Sequence, residues 1–272
     1  AGRWTCEPCS GRSSAMRDDG LRGNALLGWV IVLFLVLPIA VVVPVSFTPE
    51  RFLSLPGLHP SLRHYRALVE DPSWAEALRD SLIVAIGSTA VAVALGTAAA
   101  VGCWRLSSRL SEFIRVVMLL PIIVPAVVHA LGFYRVWAEV GLVDTYTGVI
   151  AAHAMKGLPY VLITVSAALA DFDQRLEMAA RSLGASPARA LRSVVLPAAR
   201  PGILAGAAFA FVTSWDELVV TLFITSRGVV TLPRRIWDGV QDNISPTVAA
   251  VATLLILLTA LVTVALARKR AA

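Results

Sequence analysis

Charge is what this sequence has least of. Asp, Glu, Lys and Arg supply 15% of its 272 residues, where a soluble domain carries about 25%. With 57% of residues hydrophobic, that shortage excludes an ordinary water-soluble core. Cysteine is scarce too, with Cys6, Cys9 and Cys103 the full set. Cys6-Glu7-Pro8-Cys9 has zinc-knuckle spacing but no second ligand pair, so no zinc site is expected. The four histidines, His59, His64, His129 and His153, show no metal-ligand spacing, which argues against a membrane metalloenzyme. No Gly-x-x-x-x-Gly-Lys-Ser/Thr loop occurs, so no nucleotide-phosphate cradle of that kind is present. There is no separate basic domain despite the net charge of +6, and nucleic acid is not an expected partner.

What is there is apolar sequence in membrane-length runs. A bilayer core needs about 20 apolar residues in a helix. The runs are Ala25–Val45, Ser81–Cys103, Val116–Tyr134, Tyr146–Ala170, Gly202–Ile224 and Thr247–Ala267. They are continuous rather than alternating, which favours helices over a barrel. The fold class expected is all-α integral membrane with six transmembrane helices. Pro121 and Pro125 are expected to bend the third, because each removes a backbone donor. Ala85, Ala92, Gly96 and Ala98–Ala100 give the second a small surface, which suits close helix approach inside a bundle.

Charge orients the chain. Arg12, Arg17 and Arg22 precede the first run, Arg105 and Arg109 follow the second, and Arg175 to Arg200 follow the fourth. The chain ends on Arg268-Lys269-Arg270. With six spans all of these lie on one side, so both termini are expected in the cytoplasm. Residues 1–22 are expected to be a flexible cytoplasmic tail and 23–272 a transmembrane domain. Met16 offers an alternative start, which makes 1–15 an expected extension. Between the first two runs, Leu62–Val69 places Leu62, Tyr65, Leu68 and Val69 at helical spacing, predicting a short helix at the outer interface.

The most informative stretch is the inner loop 171–200. Leu176, Ala179, Ala180 and Leu183 share a helical face, and Gly184 suits a left-handed helix terminus. Ser186 can cap a second helix with Pro187 at its first position. Pro197 and Pro201 are expected to stop that helix before the fifth span. A helix–turn–helix lying under the membrane must cover its apolar side, either on the bundle or on a cytosolic partner.

Glu177-Met178-Ala179-Ala180-Arg181-Ser182-Leu183-Gly184-Ala185-Ser186-Pro187, followed by Leu196-Pro197, resembles the EAA loop of ABC-importer permeases of the MetI-like family. The resemblance runs from the first span to the last. It implies a MetI-like permease fold whose loop docks on an ATPase, with Glu177, Met178, Ala179, Ala180, Gly184, Ala185, Ser186, Pro187, Leu196 and Pro197 as coupling residues. One departure stands out: aligned on Gly184, the family's glutamate falls on Met178, and Glu177 lies one residue early. The resemblance further implies a homologous permease subunit as heterodimer partner, two ATPase subunits that hold ATP and Mg, and a periplasmic or extracellular substrate-binding protein. No cofactor is expected on this chain itself, and its expected place is the bacterial inner membrane.

Ser214-Trp215-Asp216-Glu217-Leu218-Val219-Val220-Thr221 and Thr231-Leu232-Pro233-Arg234-Arg235-Ile236-Trp237 look most like the spermidine/putrescine branch of that family. Permeases for sulfate, molybdate, ferric ion or amino-acid-like compounds share the general layout. Acidic groups in a span are costly and mark a pathway or a paired site. Counted from Gly202, Asp216 stands roughly 21 Å up the helix, and carboxylates there suit a polycation. Trp215, Asp216, Glu217 and Lys156 form the expected substrate pathway, and Lys156 is expected to approach one of the two carboxylates. A secondary transporter would need ion-coupling groups and usually internal repeats, and it leaves the docking loop unexplained.

Overall fold

Helix follows helix in the computed structural model, which describes residues 13–57, 59–106, 108–243 and 245–271. Cys6, Cys9 and Ile244 lie outside the described residues. Among the described residues there is no strand. The chain divides into two compact units, residues 1–68 with 243–272, and residues 69–242.

The first unit holds α1 (Ser13–Val45), α2 (Arg63–Glu70, entering the second unit at its last turn) and α12 (Pro246–Ala271). Residues 13–22 of the expected tail are therefore helical. Of the face predicted for α2, Tyr65 and Leu68 are half-buried. Leu62 and Val69 are exposed while His64 is buried. His64 exchanges hydrogen bonds with the Glu50 carbonyl at 3.0 Å and the Thr247 hydroxyl at 3.3 Å. A ring with two polar partners is buried more cheaply than the alternation of apolar residues alone suggests.

The second unit is built around α3 (Pro72–Leu106), α6 (Tyr146–Ala170) and α9 (Leu196–Trp215), which pack on one another. Ser81, Val84, Ala85, Ser88, Ala92, Gly96 and Ala100 of α3 form one buried stripe at steps of three and four residues. The small side chains let the helices close up. A Cβ on Gly96 would sit 2.8 Å from Val161, and one on Gly206 would lie 2.9 Å from the Val161 backbone. Val161 is thus clamped between α3 and α9 at a spacing that larger residues forbid.

Among the described residues, five helices are long and apolar enough to cross a membrane, six if one bent pair counts as a single span. The third predicted span is not one helix. α4 (Arg109–Ile123) and α5 (Ala126–Val140) meet at 108°. Pro125 is the hinge, since it cannot donate and it forces Val124 into extended backbone at φ −74, ψ 131.

The fifth predicted span also differs. It ends at Trp215, and Val219–Ile224 forms a separate short helix, α10, after a break at residues 216–218. α11 (Leu232–Asn243) follows.

Candidate functional site

Two regions of the second unit hold the residues singled out above, one at the α9–α10 break and one at the far end of α6.

The loop region begins where α6 ends. Asp173 caps α7 (Gln174–Ser182) by accepting from the Arg175 amide at 2.9 Å. The helix closes at Gly184, whose φ is +90. The Ala185 amide reaches the Ala180 carbonyl at 3.1 Å and the Gly184 amide reaches the Arg181 carbonyl at 3.0 Å. That pair of bonds is a Schellman closure, and its left-handed residue is glycine because a side chain there is strained. Ser186 then accepts from the Arg189 amide at 3.3 Å, with Pro187 at the first position of α8 (Pro187–Ala190).

Pro197 and Pro201 do not stop this second helix. It continues through a π-helical turn, Leu191–Val195, directly into α9. The Leu196 amide bonds to the Leu191 carbonyl, five residues back. The extra residue in that turn accommodates a proline that would otherwise clash with the carbonyl four residues behind it. The second half of the loop is therefore the foot of the fifth span, and a push on the corner reaches α9 through unbroken helix.

Three large apolar side chains of α7 and its cap stand exposed, beside the exposed Gln174, Arg175, Arg181 and Ser182. Leu176 is 56%, Met178 58% and Leu183 89% exposed. Ala179, Gly184, Ser186 and Pro187 are exposed as well, while Ala180, Ala185, Leu196 and Pro197 are partly covered. Glu177 faces the other way and pairs with Arg105 of α3 at 2.5 Å. A cleft of about 440 Å³ opens beside the pair, lined by Trp104, Arg105, Glu177, Met178, Arg181 and Pro187 among others.

The other region is polar and closed. α9 ends at Trp215, with Asp216 in the C-cap position. Glu217 is buried, pairs with Lys156 of α6, and accepts from the Val220 amide at 2.9 Å. It thus neutralises a cation and satisfies an amide in the first turn of α10 at once. Of the two carboxylates, it is Glu217 that Lys156 approaches. Beside the pair, His153 is 1% exposed and bonded through both ring nitrogens, to Ser214 at 2.9 Å and Thr221 at 3.1 Å. Ser88 of α3 donates to Ser214 at 2.9 Å. Asp216 is exposed and makes no ion pair among the described residues. Trp215 stacks on Phe211, ring centroids 5.8 Å apart, rather than over a cation.

Sequence reasoning missed a third feature, at the opposite end of α6 from α7. Asp144 has a positive φ of 61. Its carboxylate takes the amides of Ser226, Arg227, Gly228 and Val229 at 2.8 to 3.3 Å. Asp80 takes the next amide, Val230, and the Tyr146 hydroxyl. Ser81 takes that of Leu232. Burial raises the Asp144 carboxyl, but the four amides outweigh it and hold it below the ordinary 3.8. No spacing in the sequence announces this latch, because its donors are backbone groups more than 80 residues away.

Residues 92–269 match the family described as binding-protein-dependent transport system inner membrane component. The chain is 30% identical to the spermidine/putrescine transport system permease protein PotC of Escherichia coli K12, over 90% of this chain and 92% of that one. It is 29% identical to the putrescine transport system permease protein PotI of the same organism, over 85% and 83% of the two chains. The trehalose transport system permease protein SugB of Mycobacterium tuberculosis is 28% identical over 77% and 78%. Among solved structures, a bacterial ABC transporter that imports the acidic polysaccharide alginate superposes with a TM-score of 0.73 at 15% identity, covering 97% of this chain and 99% of its own.

Proposed function

The chain belongs to the binding-protein-dependent transport system inner membrane components, the MetI-like permeases of ABC importers, and from that premise we propose that it moves polyamines such as spermidine and putrescine. The observation that carries the reading is its likeness to PotC, which runs over 90% of the chain. The acidic pair at the α9–α10 break supports it. Asp216 is exposed, and Glu217 already holds one ammonium group, that of Lys156. A polyamine presents the same chemistry. It would meet Asp216 first and compete with Lys156 for Glu217, with Trp215 at the edge of that route.

On this reading α7 and the corner at Gly184 face the cytoplasm and dock on an ATPase subunit, as the exposed Leu176, Met178 and Leu183 favour. Both termini are then cytoplasmic in the bacterial inner membrane. ATP and Mg belong to the ATPase, since this sequence has no phosphate loop. A second permease and a soluble binding protein complete the assembly. ATP closes the ATPase pair, the corner moves, and the continuous helix 187–215 carries the motion to the break.

The test is ATP-driven uptake of radiolabelled spermidine in proteoliposomes holding all partners, with putrescine and trehalose as competitors. Uptake blocked by putrescine and untouched by trehalose is expected, and the reverse order sinks the polyamine reading. Gly184→Asp tests the docking role. Among the described residues nothing lies within 4 Å of a Cβ at Gly184, but at φ +90 any side chain strains the backbone, so Gly184→Asn, which carries the strain without the charge, is the control. Lost uptake at normal membrane abundance in Gly184→Asp is expected, and normal uptake counts against docking.

A further inference from the structure

We propose that Arg105 and Glu177 form a strut that sets the angle of α7 against the bundle, making Glu177 a positioning residue for coupling rather than a contact to the ATPase. This rests on the reading of α7 as the element that meets the ATPase.

The argument starts from one residue of register. A shift of one position turns a side chain by about 100° around a helix. The family's glutamate position is Met178 here, and Met178 is on the exposed side of α7. Glu177, one step earlier, points back at α3. Its side chain is 14% exposed, and its partner, in the last turn of α3, is 32% exposed. The carboxylate that would face a partner in the family's register is instead consumed inside the chain.

Beyond its packing on α8 and the π-helical turn Leu191–Val195, little else holds α7. None of its residues is buried. At its approach Phe172 meets Trp104 edge-on, ring centroids 5.7 Å apart, and at its end the Gly184 corner joins it to α8. Among the described residues, Arg105–Glu177 is the one ion pair linking α7 to another element. A partly exposed pair adds little to stability, so its worth is geometric.

What it links is specific. α3 carries Ser88, which donates to Ser214 at the end of α9 and so touches the His153 network. A displacement of α7 therefore enters the bundle twice, along the backbone into α9 and through the strut into α3. With the strut broken, α9 moves and α3 lags, and the two sides of the Ser88–Ser214 contact are driven out of step.

The experiment uses the full assembly in liposomes and reads the stimulation of ATP hydrolysis by the binding protein, which does not depend on the solute's identity. Arg105→Glu and Glu177→Arg are each expected to cut that stimulation about tenfold, and the charge-swapped double variant to return it to within about threefold of wild type. The neutral pair Arg105→Gln and Glu177→Gln guards against misfolding by like-charge repulsion. There the double variant is expected to be no worse than either single one, since both remove the same link. A swap as poor as the single reversals overturns the strut. So does loss of the ATPase from purified Glu177→Arg complexes but not from Arg105→Glu complexes, because Glu177 would then act by touching the ATPase. A wild-type permease that recovers no ATPase at all overturns the docking reading itself, a result distinct from either.

Discussion

The α9–α10 break and the α7 corner are opposite solutions to the same accounting. At the break every buried polar group described above finds a partner within the chain. Glu217 has Lys156 and an amide, and His153 has two hydroxyls. At the corner, three large apolar side chains are left uncovered. A polar group inside the bundle must be satisfied locally or it costs several kcal/mol, about 3 for a charge on insertion scales. An apolar group on the outside of α7 has no such obligation and waits for whatever covers it. The break is complete in one chain, and the corner is not.

The largest effect is expected where that completeness is broken. Lys156→Met leaves Glu217 charged and unpaired, and a loss of about 3 to 5 kcal/mol is expected for breaking one side of a buried pair. Thermal unfolding in detergent measures it, and Lys156→Met with Glu217→Gln should recover a large part. A double variant as unstable as the sum of the singles removes the pair from the account.

Next comes the latch. Asp144→Ala strands four amides, and a loss of about 1.5 to 3 kcal/mol is expected from its charged hydrogen bonds. Faster amide exchange confined to residues 226–229 is the signature. The carboxyl titrates below 3.8, and a depressed folded pKa gives stability that is present above the unfolded value and lost as pH falls through the folded one. In the wild type, protection of these amides is therefore expected to persist down to about pH 4 and fade only below it.

Gly206→Val inserts atoms where Val161 already sits, and overpacking of about 1 to 3 kcal/mol is expected. An unchanged melting temperature would show that α6 and α9 can separate at no cost.

The smallest effect on stability sharpens the comparison most. Leu183→Ser is expected to change the melting temperature by the equivalent of no more than about 0.5 kcal/mol, since Leu183 is exposed. Recovery of the ATPase in the same preparation is expected to fall. A destabilised protein with full ATPase recovery would place Leu183 in the chain's own packing instead.

Much of this was legible beforehand. Five of the six apolar runs overlap a helix long enough to cross, the third is a bent pair, and Gly184, Ser186 and Pro187 predicted a helix, a corner and a second helix start, all of which depend on neighbours a few residues away. The misses share a cause. Pro197 looked like a stop, but a π-helical turn before it takes it up and nothing local announces one, while Pro201 sits inside α9 itself. Gly202–Ile224 looked like a single span because Asp216 and Glu217 carry no breaking signal of their own. The break forms because Glu217 is drawn to Lys156 and to the Val220 amide.

By itself, then, the sequence determined that this protein is helical and lives in a bilayer, and that its inner loop turns a corner at Gly184 between two helices. Apolar run length, charge asymmetry and backbone-specific residues act locally, so they can be read in one dimension. Only the tertiary structure decided which carboxylate is neutralised and which is exposed, that Glu177 turns inward to Arg105, and that Asp144 holds a loop from across the chain. Those outcomes depend on groups separated by 61, 72 and more than 80 residues, and charges and hydrogen bonds act only at the distances that folding brings about.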